Sequence, residues 1–143
     1  MVLLTSAVVL LRYLFNVGWI AMQEVSTYFH AILFMLGAAY TLKLDGHVRV
    51  DIFYRPLSRR GKAWVDLLGT LLLLLPVCLF MLWVGWEYVA ASWSLQEGSR
   101  EAGGLNLIWL LKSLILLMPA LLILQGVAQI GHALLTLFTA TEQ

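Results

Sequence analysis

Apolar residues in this chain come in long runs rather than in alternation. Four stretches approach the roughly 20 apolar residues that a helix needs to cross about 30 Å of hydrocarbon. They are 1–19 (broken by Arg12), 24–42, 64–91 and 105–131. Polar residues collect between them, above all in 43–63 and 92–105. Strands of a membrane barrel would alternate with period two, so the pattern predicts an all-α integral membrane protein. The expected architecture is a four-transmembrane-helix bundle forming a single domain over 1–143, with no internal repeat. Pro76 and Pro119 fall inside the third and fourth runs, where a bilayer accommodates them as kinks. The opening eleven residues resemble a signal-peptide core but have neither a basic leader nor a small-residue cleavage site, and they are read as part of a retained helix.

Composition sharpens this reading. With 62% hydrophobic and 12% charged residues, and a mean hydropathy of +0.89, a soluble domain of 143 residues could not hide its apolar surface. The same figures exclude disorder. The lone Cys78 rules out an internal disulfide and a cysteine-built metal cluster. A net charge of +1 gives no reason to expect a nucleic-acid partner.

The average charge conceals a local asymmetry. Six of the nine Lys and Arg residues, namely Lys43, Arg49, Arg55, Arg59, Arg60 and Lys62, lie between the second and third runs. By the positive-inside rule this connection is cytoplasmic. Both termini then lie in the cytoplasm and 92–105 lies outside. Such a cluster is also compatible with membrane lipids as partners. Residues 46–54, beginning Gly46-His47-Val48-Arg49-Val50-Asp51, read as a short cytoplasmic interfacial segment between helices two and three. Ser58 follows as an N-cap for a helix that continues into the third crossing.

Ionisable residues at membrane depth are functional candidates. Arg12, Glu24, Glu87 and Lys112 fall near one depth, about 9 Å or less from the outer surface. They would form two pairs, Arg12 with Glu24 and Glu87 with Lys112, each sparing an isolated charge in low dielectric. A proton or ion path should extend through the membrane, so the preferred reading is an ion-pair set that fixes helix register. Trp83, Trp86 and Trp93 share one stripe of helix three, which fits either a contact face for another subunit or packing within the bundle. Glu97, Arg100 and Glu101 stand in a glycine-rich outer loop, open to a partner beyond the membrane. His30 and His132 lie at opposite depths and cannot ligate one haem iron. No catalytic set, phosphate loop or metal spacing appears, so no enzyme and no cofactor are expected.

The run Arg12-Tyr13-Leu14-Phe15-Asn16 with Trp19 and Glu24, then Gly37-Ala38-Ala39-Tyr40, carries a resemblance to a known family. So do His47-Val48-Arg49-Val50-Asp51, Ser92-Trp93 with Glu97 and Ser99, Gly103-Gly104-Leu105, and Lys112. Over nearly its whole length the chain resembles the small membrane subunit of TRAP (tripartite ATP-independent periplasmic) transporters, the DctQ type. Family members usually carry extra residues ahead of the first helix, whereas this sequence opens inside it. The resemblance implies a multi-pass protein of a bacterial or archaeal cytoplasmic (inner) membrane. Its role would be a non-catalytic scaffold for a large elevator-type membrane subunit. That subunit takes up an organic acid delivered by a periplasmic substrate-binding protein, and the coupling sodium is bound by the large subunit. Two other classes remain: a small four-helix exporter acting as a homodimer, and a membrane anchor of a redox complex.

Overall fold

A computed structural model describes residues 1–16, 18–44, 46 and 54–139. These fold into four helices, with no strand among the described residues: α1 (Val2–Phe15), α2 (Ile20–Lys43), α3 (Arg59–Ser94) and α4 (Ile108–Thr139). Apart from Gly46 and Tyr54, the interfacial segment expected over 46–54 lies outside the described residues, including His47, Arg49 and Asp51.

Three of the helices, α2, α3 and α4, are long and apolar enough to cross a membrane, with 24, 36 and 32 residues. The first is shorter. Its 14 residues span about 21 Å, because Asn16 takes a left-handed conformation (φ 56°) and turns its N–H back to the Leu11 carbonyl. Asn adopts this region more readily than most residues, so the run expected over 1–19 divides here. Helix α2 starts from an extended Trp19, which places Glu24 inside the second helix rather than at its start. Helix α4 begins at 108 instead of 105 and continues past 131 to Thr139.

Helix α3 starts where Ser58 predicts, its hydroxyl accepting from the Gly61 N–H at 3.2 Å. Eleven residues later the helix widens into one π turn, Thr70–Leu74, and the Leu75 N–H bonds to the Thr70 carbonyl. The cause is Pro76. It has no N–H to give to the carbonyl of Leu72, and its ring would strike that carbonyl in a regular helix. A widened turn relieves the clash while the chain stays helical.

Helix α4 is the axis of the bundle. Helices α2 and α3 pack along it, and α1 leans on α2, where the Thr5 and Ser26 hydroxyls meet at 3.2 Å. The buried residues of α3 are Ala63, Thr70, Cys78, Gly85, Val89 and Ser92, one stripe along its seam with α4, and those of α4 are Leu114, Pro119, Gly126 and Ala133. A spacing near seven keeps such a stripe on one side for the whole length of a helix. Most of these residues are small, as expected where lipid provides no hydrophobic drive and backbones must approach closely. A Cβ at Gly126 would lie 3.0 Å from Leu74 and 3.2 Å from Thr70 side-chain carbons.

Candidate functional site

The 95–107 connection is tied to three helices by a set of polar side chains. It begins at the end of α3. Gln96 adopts φ 46°, and its N–H and that of Glu97 bond back to the carbonyls of Trp93 and Ser92, at 3.2 and 3.1 Å. This reciprocal pair is a Schellman cap, and it folds Glu97 back over the end of its own helix. There the Glu97 carboxylate accepts from the Ser92 hydroxyl at 2.7 Å and from the Lys112 ammonium of α4. Lys112 also lies over the Tyr88 ring, 4.0 Å from its centre. The ammonium and the Ser92 hydroxyl hold the Glu97 carboxyl below the usual carboxylate range.

A second knot joins the same loop to α2. The Glu24 carboxylate accepts from the Leu105 N–H at 2.6 Å and from the Ser99 hydroxyl. Ser99 is held in turn by its N–H to the Leu105 carbonyl, 3.0 Å. Gly104 makes the approach possible, since a Cβ there would collide with Ser99 and sit 2.7 Å from Glu24 Oε1. One turn along α2 the Tyr28 hydroxyl is buried and has no hydrogen-bond partner among the described residues. The third tie is aromatic. Trp93 donates to the Ser113 hydroxyl at 2.8 Å and meets Trp109 edge to face at 4.5 Å.

Two pairings expected from the sequence are therefore replaced. Lys112 meets Glu97 and not Glu87, and Glu24 is occupied by the loop while Arg12 stands exposed on α1. Glu87 is two residues from both Gly85 and Val89, which face the seam, so it points about 200° away from them. It is exposed. Trp83 and Trp86 share that outward side and are 77% and 66% exposed, whereas Trp93 from the same stripe serves contacts within the chain. Arg100 and Glu101 are exposed on the loop. His30 stacks on Phe34 at 6.3 Å, and His132 lies far along α4 beside Arg59 and Lys62. Among the described residues no three His, Cys, Asp or Glu side chains gather as a metal site.

Ser92, Ser99, Leu105 and Ser113 escaped the reading of charged residues, because a hydroxyl or a backbone N–H carries no depth signal of its own. For Ser99 and Leu105 the available clue was the glycine beside each in the 95–107 loop.

The family model for tripartite ATP-independent periplasmic transporters, DctQ component, matches residues 1–136. The chain belongs to the DctQ family. It is a component of a transporter and not an enzyme. No curated protein and no solved structure matches it. Of the residues that carried the resemblance, Glu24, Ser92, Glu97, Ser99, Leu105 and Lys112 meet in the two knots of this DctQ chain, with Gly104 making room for the second.

Proposed function

We propose that this chain is the small permease subunit of a sodium-coupled TRAP transporter of the inner membrane. It crosses the membrane four times with both termini in the cytoplasm, and its 95–107 loop faces the periplasm. Its task is to hold a large elevator-type membrane subunit in place during uptake of an organic acid delivered by a periplasmic binding protein. The substrate and the coupling sodium are handled by those partners.

The observation that carries this reading is the division of labour on α3. One side is committed to α4 through small residues and to the loop through Ser92 and Trp93. The other side presents Trp83, Trp86 and Glu87, all left exposed by the described residues. A carboxylate facing outward at membrane depth is costly unless a partner meets it, and large aromatic residues are the usual anchors of a subunit contact. A cationic or hydrogen-bond donor group on the large subunit is the matching partner.

Copurification tests the proposal. The chain is co-expressed with its large subunit, and Trp83→Ala/Trp86→Ala and Glu87→Leu are compared with wild type. Yield of the complex should fall severalfold while the small subunit itself accumulates normally. Full recovery of the large subunit with all three side chains replaced would refute this contact face.

A further inference from the structure

At the end of the bundle away from the knots, the helices part. A cavity of about 690 Å³ opens between α2, α3 and α4, walled mainly by Leu42, Leu73, Leu74, Val77, Met81 and Leu122. It continues into a smaller one of about 240 Å³ walled by Arg59, Lys62, His132 and Thr136, with Asp66 and Gln129 lining both. We propose that this continuous groove holds an anionic glycerophospholipid, with an acyl chain along the apolar part and the phosphate at Arg59 and Lys62.

The groove has the two-part character of a lipid. From Val65 to Met81 its apolar wall follows α3 for about 24 Å, more than the roughly 15 Å depth of one leaflet's hydrocarbon. Its polar end begins where exposed Trp64 marks the boundary. That end lies at the start of α3, where Arg59 and Lys62 are two of the six basic residues between the second and third apolar runs, and a basic pocket between helices at such a level suits an anionic headgroup. Asp66 also lines this end, its Oδ2 accepting from the Tyr54 hydroxyl at 2.8 Å, and its single negative charge is outnumbered by Arg59 and Lys62, with Lys62 over the Tyr54 ring at 5.4 Å.

The groove also has a cause in the backbone. The π turn forced by Pro76 interrupts the regular face of α3. Gly69, just before it, lines the groove without a side chain, and a Cβ there would meet nothing within 4 Å. An apolar slot of this length, left between helices by the described residues, suits an acyl chain, and the basic end selects which lipid. The inference does not depend on the transported substrate or on the contact face proposed above.

Native mass spectrometry of the purified, delipidated full chain tests it, with palmitoyl-oleoyl phosphatidylglycerol and the matching phosphatidylcholine titrated separately. Wild type should bind phosphatidylglycerol roughly thirtyfold more tightly, from about 1 kcal/mol for each of Arg59 and Lys62. Arg59→Gln/Lys62→Gln should bring the two lipids level. Gly69→Leu, which fills the slot, should weaken both lipids about tenfold by the same measure; Val77→Trp is the second slot-filling variant should the first fail to elute as wild type does. Excess inorganic phosphate should leave phosphatidylglycerol bound. Equal binding of the two lipids by wild type would overturn the proposal. So would selectivity that survives loss of Arg59 and Lys62, undiminished binding in the slot-filled variants, or displacement by phosphate alone.

Discussion

At the loop end of the bundle, α2, α3 and α4 converge on one connection through two carboxylates, an ammonium, two serine hydroxyls and a backbone N–H. At the basic end the same three helices surround a cavity of about 690 Å³, and across the α3–α4 seam there the Thr70 hydroxyl meets Gln129 at 3.4 Å. The apolar seam runs through both ends, so hydrophobic character does not distinguish them. Apolar packing in lipid brings helices together but fixes their position along one another only weakly, whereas directed polar contacts specify register. The loop end therefore sets the geometry of the bundle, while at the basic end the described residues leave a cavity between the helices.

Glycine replacement gives the largest contrast. Gly104→Ala drives a Cβ into Ser99 and Glu24 and should destabilise the chain by about 1–3 kcal/mol in thermal unfolding in detergent. Gly69→Ala at the basic end points its Cβ into open space and should stabilise by roughly 0.5–1 kcal/mol through helix propensity. Equal destabilisation by both would mean that the ends are packed alike.

A double-mutant cycle sharpens the role of the charges. Glu97→Gln and Lys112→Gln should each lower the melting temperature, and the double variant should lose less than the sum, because a single removal strands the remaining partner. Glu87→Gln should leave the melting temperature of the isolated chain unchanged, since Glu87 faces away from the seam. A coupling of Lys112 to Glu87 equal to its coupling to Glu97 would contradict the pairing.

Acidity probes the same pair. Glu97 is held below its ordinary 4.5 in the folded chain, so its contribution is complete above that value and is lost as the pH falls through the lowered one. The melting temperature of wild type should drop below about pH 4.5, and Glu97→Gln should flatten that part of the drop. An unchanged slope in the variant would remove Glu97 from the account. The smallest effect is expected at Gln96, whose left-handed φ of 46° suits glycine better. Gln96→Gly should raise stability by up to about 1 kcal/mol without changing the capping pattern.

Much of this molecule is legible in its apolar runs. Helices near 24–42, 64–91 and 105–131 follow from run length, and Ser58 marks the start of α3. The end of α1 is less legible, because the apolar run continues to Trp19 while Asn16 turns left-handed. Glu24 and Lys112 stand out as charges at membrane depth, yet their partners do not. Glu97 reaches Lys112 only because a Schellman cap forms on a glutamine, where a reader of the sequence looks for glycine. Nor does the run of leucines at 71–75 announce a π turn. That turn is a response to Pro76 and to close packing on Gly126, and the groove depends on it.

The central claim is that this chain serves transport by holding its large partner rather than by moving substrate. The direct measurement is sodium-driven uptake into liposomes containing the large membrane subunit, supplied with the periplasmic binding protein, with and without this chain. Uptake should be lost without it and restored when it is added back, while the Trp83→Ala/Trp86→Ala form should fail to restore it. Uptake at the full rate in its absence would contradict the claim.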